Sequence, residues 1–223
     1  MPAEMQRNIH RTGLPRFVRS LAPDAPERQS AEQFVSSCFN QQYGAEIRQF
    51  MPILMSLSNQ QDELNGVLGF RAADQSPLFL ENYLDRPVEQ VLATRLKRPV
   101  DRSRLVEVGN LAVNTAGGGR WLITALTAYL STTRCEWALF TIGPVLYNAF
   151  TRLGLQLIDL APARLESLPH EEQSYWGSYY QQGPRVMAGN VNQGHRVLWN
   201  QCQQEQSLRE LWLRAELAGR QAA

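Results

Sequence analysis

Lysine is nearly missing from this 223-residue chain: Lys97 is the single one, and arginine supplies the rest of the 22 basic residues. That bias reflects genomic base composition more simply than binding chemistry. Charge of one sign is missing too. The basic residues meet 21 acidic ones, a net of +1, which argues against nucleic acid or an anionic membrane as a partner. Cysteine is scarce. Cys38, Cys135 and Cys202 are far apart and odd in number, with no C-x-x-C, which argues against a disulfide framework or structural zinc and for a reducing compartment. Cys38 and Cys135 sit in apolar surroundings and read as packing residues. His10, His170 and His195 are isolated, without an H-x-x-x-H pair, so no metal site is expected. No G-x-S-x-G occurs, which leaves a nucleophile-elbow hydrolase unsupported. Long apolar runs are also lacking. The N-terminus MPAEMQRNIHRTGLPRF has no signal-peptide core, and Trp137 to Phe150 is broken by Gly143-Pro144 and Asn148. A cytoplasmic protein with no transmembrane segment is expected.

What is present suits a folded domain: 43% hydrophobic and 19% charged residues, in a chain long enough for one full core. Residues 1–16 read as an arm, 17–200 as the domain and 201–223 as a C-terminal amphipathic helix. A strand starts at Phe17-Val18, and a helix is predicted from Glu27 to Tyr43, stopped by Gly44. Met51 to Met55 is apolar but of undecided type, and Asn59 to Asn65 is a polar turn. Strand Gly66 to Ala72 is predicted to turn at Asp74-Gln75-Ser76-Pro77 into a second strand, Leu78 to Leu84. Asp85 then caps a helix through Leu96, followed by a basic loop holding Arg95, Lys97, Arg98, Arg102 and Arg104. Strand Trp137 to Gly143, helix Pro144 to Leu153 and strand Leu155 to Leu160 follow. Leu208, Leu211, Trp212 and Ala215 share one face of a last helix. This order predicts an α+β (mixed α/β) single domain, a central mixed β-sheet flanked by helices.

The densest signal is Arg104 to Leu126, RLVEVGNLAVNTAGGGRWLITAL. It reads as a strand carrying one carboxylate, Glu107, then the glycines Gly117, Gly118 and Gly119, then a helix to Thr132. Two readings fit the glycines. Their amides close on a phosphate at a helix N-terminus, or they only permit a tight strand-to-helix turn. A P-loop is ruled out, because Arg120 and Trp121 follow the last glycine. No dinucleotide fingerprint fits either.

The segment resembles the acyl-CoA loop of the GCN5-related N-acetyltransferase superfamily. Leu111-Ala112-Val113 looks like the strand end, and Gly117, Gly119 and Arg120 like the pyrophosphate loop, which is shorter here and lacks its first Arg/Gln. The stretch Pro144 to Leu155, with Asn148, resembles the superfamily's fourth-helix motif. There a tyrosine protonates the departing thiolate; the matching residue here is Phe150, which has no proton to give, and Tyr147, three residues earlier on the same helical face, is the candidate to substitute for it. The blocks FVSSCFNQQYGAEIRQFMPILMSL, VLGFRAA, LFLENYLDRPVEQVL, VEVGNLAV, RWLITALTAYL, FTRLGL, YWGSYY and PRVMAGN together are similar to the thermostable hemolysin family, across almost the whole chain. That family's pattern resembles acyl-homoserine lactone synthases and other long-chain N-acyltransferases, while its name comes from a lytic phenotype.

Two functions therefore stand side by side. One is an N-acyltransferase that moves a fatty acyl group from coenzyme A or acyl carrier protein onto a small amine, with no permanently bound cofactor. The other is a membrane-lytic protein without enzymatic activity, supported by the family name and the amphipathic last helix. For acyl transfer the resemblance implies a bulge at Asn110-Leu111-Ala112, whose amide polarises the thioester carbonyl, and Asn110, unusual in an apolar strand, is read as a bulge residue or a substrate contact. Glu107 is the candidate base, or else pairs structurally with Arg71 or Arg104. Glu81, with Tyr83 at i+2, is the second candidate, as base or amine binder, or else a solvent-facing strand residue. Arg71 is a candidate for a substrate carboxylate. The basic loop is a candidate dock for an acidic carrier protein, or an ordinary solvated loop. Tyr175, Trp176, Tyr179 and Tyr180 either line an acyl channel or cover the sheet edge.

Overall fold

In the computed structural model, which describes residues 13–115 and 117–222, the fold is organised by the strand Leu105–Val113 (β4). Alternation decides what it carries to each side. Val106 and Val108 enter one core layer, while Leu105 enters the other, on the side to which Glu107 also points. β4 lies fourth in a seven-stranded sheet of order β1-β2-β3-β4-β5-β7-β6. The others are β1 (Phe17–Leu21), β2 (Ile53–Ser58), β3 (Leu64–Ala72), β5 (Trp137–Ile142), β6 (Leu157–Pro162) and β7 (Arg185–Asn190). Every neighbouring pair is antiparallel except β4 and β5.

That parallel pair is joined by helix Gly118–Leu130 (α3), whose crossover buries Leu122, Ala125 and Leu126 against the sheet. The helices are α1 (Arg28–Tyr43), α2 (Val88–Leu96), α3, α4 (Pro144–Arg152), the short α5 (His170–Gln173), α6 (Val191–Cys202) and α7 (Gln206–Ala222). α3, α4, α6 and α7 cover one face; α1 and α2 cover the other. α3 and α7 pack so closely that a Cβ on Gly219 would lie 2.3 Å from Thr132 Oγ1 and 2.6 Å from the Tyr129 carbonyl oxygen. None of the described helices is long and apolar enough to cross a membrane.

A single domain with a mixed sheet agrees with the sequence, but several elements move. The hairpin partner of β3 is β2, turned by Asn59 to Glu63, where the Asn59 side chain accepts from the amides of Gln61 and Glu63. The expected strand Leu78 to Leu84 is instead a 3-10 turn, Phe79–Tyr83. Glu81 winds it by accepting from the amides of Leu78 and Val88 while Arg102 grips its carboxylate. A short apolar run carries no period that separates strand from turn. β7 and α6 had no expected counterpart. The last helix's apolar residues Leu208, Leu211, Trp212 and Ala215 are inside the core, so that face is not available to a membrane. Of the expected N-terminal arm, residues 1–12 lie outside the described residues.

Candidate active site

The seam between β4 and β5 is short. Register runs from Leu105 opposite Trp137 to Val108 opposite Phe140, and stops. β4 continues to Val113 and β5 to Ile142 without each other, so the sheet splays open after Val108. Asn110 explains part of the divergence. It adopts φ +50, and β3 pairs Val67 with Ala112 but Gly69 with Gly109. β4 thus spends one extra residue there, and Asn110 and Leu111 have no ladder partner. This is a bulge, at the position expected from the sequence. The Asn110 side chain is occupied: it accepts from the Met51 amide (2.8 Å) and donates to the Gln49 carbonyl (3.3 Å). These two bonds fix the bulge. The facing glycines Gly69 and Gly109 leave the slot that Met51 fills.

The splay opens into a cavity of about 1060 Å³. One arm is apolar, walled by Leu68, Val108, Ile123, Leu126, Phe140, Ile142, Leu146, Phe150 and Leu153. The other is aromatic and polar, with Phe79, Tyr83, Tyr175, Trp176, Tyr179 and Tyr180 around Arg71 and Glu107. The four aromatics of residues 175–180 all line the cavity. Trp176 stands 5.5–5.7 Å from the rings of Phe79, Tyr179 and Tyr180. Their loop is anchored to the end of α1: Ser178 donates to the Tyr43 carbonyl and Glu46 to the Tyr175 carbonyl.

Glu107 is 3% exposed and faces this cavity. Its Oε2 meets Arg71 Nε at 2.9 Å, from the residue directly opposite on β3. Backbone amides of Phe79 and Leu80 donate to it at 3.0 and 2.7 Å. Burial nevertheless pushes its pKa above the ordinary carboxylate value, against the pull of Arg71 and the two amides. A carboxylate has about four acceptor sites; the two amides use two, and Arg71 adds an ion pair without an aligned hydrogen bond. Arg104 pairs with Glu136 instead.

The other expected residues divide. Tyr83 lines the cavity, its hydroxyl hydrogen-bonded to that of Tyr180. Burial raises the pKa of both, that of Tyr180 to about 12. Leu111, Val113, Gly117, Gly119 and Arg120 also line it. Gly117 caps α3 with φ +81, a conformation that favours glycine. Gly118 does not face the cavity: a Cβ there would sit 2.9 Å from Val113 Cβ, so it is a close-packing glycine. The amides of Gly118 and Arg120 already donate to Thr115 and Gly117 carbonyls. The Arg120 guanidinium pairs with Glu205.

Glu81, Tyr147 and Asn148 do not line the cavity. Arg102 holds Glu81, with Glu89 on the same guanidinium, and pulls its pKa down to about 2, the opposite of a base poised near neutrality. Tyr147 is 46% exposed on the outer face of α4, and Asn148 is exposed beside it. The helix turns Phe150, three and two residues on, inward instead. Nor does the basic loop gather at the glycine end. It precedes β4, and Arg98, Arg102 and Arg104 are ion-paired within it or with nearby carboxylates.

Two features were missed. Arg152 borders the cavity and has no ion-pair partner among the described residues. Its place before Leu153-Gly154 in the helix motif was the available signal. The amides of Phe79 and Leu80 left no trace in the sequence, because nothing there foretold the 3-10 turn. Metal-holding groups of three or more His, Cys, Asp or Glu do not occur among the described residues.

A family model described as thermostable hemolysin matches residues 21–195. The chain belongs to the thermostable hemolysin family. A comparison with curated proteins finds no match. Among solved structures it is similar to FeeM, an N-acyl amino acid synthase from uncultured soil microbes. The two are 19% identical, the match covers 82% of this chain and 94% of FeeM, and the TM-score is 0.56. BjaI, a coenzyme A-dependent acyl-homoserine lactone synthase described with SAM and isopentyl-CoA, is 10% identical over 90% of this chain and 99% of its own, with TM-score 0.56. LasI, an acyl-homoserine lactone synthase, is 12% identical over 82% and 93%, with TM-score 0.55. At these identities the likeness establishes a shared fold and nothing beyond it.

Proposed function

We propose that this protein is an N-acyltransferase that moves a fatty acyl group from a coenzyme A or acyl-carrier thioester to a small amine. The observation that carries this reading is one cavity joining an open, bulged strand edge to a buried carboxylate. β4 beyond Val108 has no neighbour on its β5 side, so its backbone can pair with the amides of a pantetheine arm much as a strand edge pairs with a peptide. Gly117, Gly119 and Arg152 border the same cavity, and we assign the donor's phosphates to them. The apolar arm takes the acyl chain, and the aromatic arm takes the amine.

Glu107 removes one proton from the entering ammonium through a remaining acceptor site. The amine nitrogen attacks the thioester carbon, and an amide of the Asn110–Leu111 bulge donates to the oxyanion. Collapse breaks the C–S bond. One of the two protons still on nitrogen passes to the thiolate, giving amide and thiol, and Glu107 returns its proton to solvent. This balance needs no tyrosine acid, in keeping with Phe150 and with the outward Tyr147. Arg71 holds Glu107 in place. Its Nε faces Glu107 and the residue also lines the cavity, so we keep its outer nitrogens for a substrate carboxylate. Glu81 is a structural residue. Thioester donors are made in the cytoplasm, where we place the enzyme.

The test is incubation of the purified protein with acyl-CoA of several lengths and a panel of amines, following thiol release and amide formation by mass spectrometry. Thiol release that depends on the amine, with a matching amide mass, supports the reading. Liposome leakage by the protein alone, with no thiol from any donor or loaded carrier, overturns it in favour of direct lysis.

A further inference from the structure

The apolar arm ends at two stacked rings. Phe140 of β5 and Phe150 of α4 lie with centroids 4.9 Å apart and planes 16° from parallel, 5% and 8% exposed. Behind them is a second chamber of only about 40 Å³. The two cavities share Ile123, Leu126, Phe140 and Phe150 as walls, so the stack is a partition and not merely part of a filled core. The rear chamber is kept open by glycine: a Cβ on Gly189 would meet Leu157 Cδ2 at 3.3 Å and Phe140 Cζ at 3.5 Å.

We infer that the Phe140–Phe150 stack is the end stop of the acyl channel and that Phe150 sets the longest chain accepted. This rests on the acyltransferase reading and adds to it a specificity-determining residue. An apolar chain entering from the Val113 and Gly119 end runs between α3 and β5 until it meets the rings beside Val108. Each methylene it buries on the way is worth about 0.8 kcal/mol, roughly fourfold in kcat/KM. A methylene beyond the stop must displace a packed ring, and packed interiors resist that. Phe150 is the adjustable half of the partition. Phe140 sits at the last register pair of the seam, whereas Phe150 lies near the end of a helix flanked by solvent-facing residues.

The test is a chain-length profile. Thiol release and calorimetric binding are measured for saturated acyl-CoA donors from eight to eighteen carbons (about two carbons per step, each step roughly sixteenfold at most) on wild type, Phe150→Leu, Phe150→Ala and Phe150→Trp. Removing the ring leaves space that its neighbours refill only in part, so Phe150→Ala should move the optimum up by roughly two to four carbons. Phe150→Leu should move it less, and Phe150→Trp should shorten it. Adding Leu157→Phe to Phe150→Ala, which refills the rear chamber, should return the optimum toward wild type. If Phe150→Ala does not fold, Phe150→Leu and Phe150→Trp carry the test. A folded variant set with the wild-type length profile overturns this inference and leaves the acyltransferase reading standing. A wild type that neither binds nor turns over any acyl thioester overturns both.

Discussion

Replacing Glu107 by Gln should separate catalysis from scaffolding. The side chain now accepts from the Phe79 amide and meets Arg71 through Oε2, and accepts from the Leu80 amide through Oε1. A glutamine can offer its carbonyl to only one side. If that side is Arg71 and Phe79, its NH2 faces the Leu80 N–H, and the 2.7 Å bond is lost. A lost hydrogen bond to a charged group costs about 1.5–3 kcal/mol. For a chain of this size that is roughly 3–12 °C of melting temperature, so a measurable but survivable loss of stability is expected. Turnover should fall by about 10²–10⁴-fold, because the group that takes the proton is gone. Arg71→Met completes the comparison. It removes the cation that opposes burial, so the Glu107 pKa rises further above its ordinary value. The wild-type rate should fall as pH drops through that raised value. In Arg71→Met the acidic limb should move to higher pH, and in Glu107→Gln it should disappear. The assay is thiol release from pH 5 to 9, about the range in which such limbs are read, beside thermal melting. A folded Glu107→Gln variant with wild-type turnover and the same acidic limb would refute the base assignment.

Three other perturbations test the surrounding structure. Arg102→Met strips the cation from Glu81 and Glu89 and should cost about 2 kcal/mol at neutral pH, read by denaturant unfolding. Because Glu81 is held near 2 in the folded state and unfolds toward about 4.3, the difference from wild type should persist above that unfolded value and shrink as pH falls below it. Gly119→Asp projects a carboxylate into the cavity, where a Cβ meets only Leu146 at 3.8 Å. It should weaken coenzyme A binding by calorimetry about tenfold or more while melting stays near wild type; unchanged binding would remove the helix start from the donor site. Tyr147→Phe should leave thiol release within about twofold of wild type, since the side chain points to solvent.

The sequence made β4, its glycines and α3 legible because three local signals agree there: an apolar run, left-handed turn residues and helical spacing. The bulge was legible for a similar reason, a polar Asn110 inside an apolar strand. Glu107 stood out as the lone carboxylate of that strand; it lines the cavity and pairs with Arg71, the structural partner one of its two readings expected. The 3-10 turn was hidden because its cause is long-range. Glu81 reaches Arg102, 21 residues away, and the turn then hands the Phe79 and Leu80 amides to Glu107. β7 was hidden because RVMAGN between Gly183-Pro184 and a polar helix is too short to show a period. Tyr147 misled because shared helical spacing does not say which face turns inward; the packing of Phe150 against Phe140 decides that.

Among the described residues, four facing residues on each of β4 and β5 are the only strand pairing between β1–β4 and β5–β7. The sheet therefore resembles two covers bound along a short spine, with α3 as the strap between them. Below the spine the backbone is stitched; above it, the two edges are held apart by side chains alone. A thioester arm lying in that gap would close both edges at once and turn two half-sheets into one mechanical unit. The loaded protein should then unfold as a stiffer body than the empty one. Slow hydrogen exchange would spread up Gly109–Val113 and into Ile142, so the donor works as a missing strand as well as a reactant.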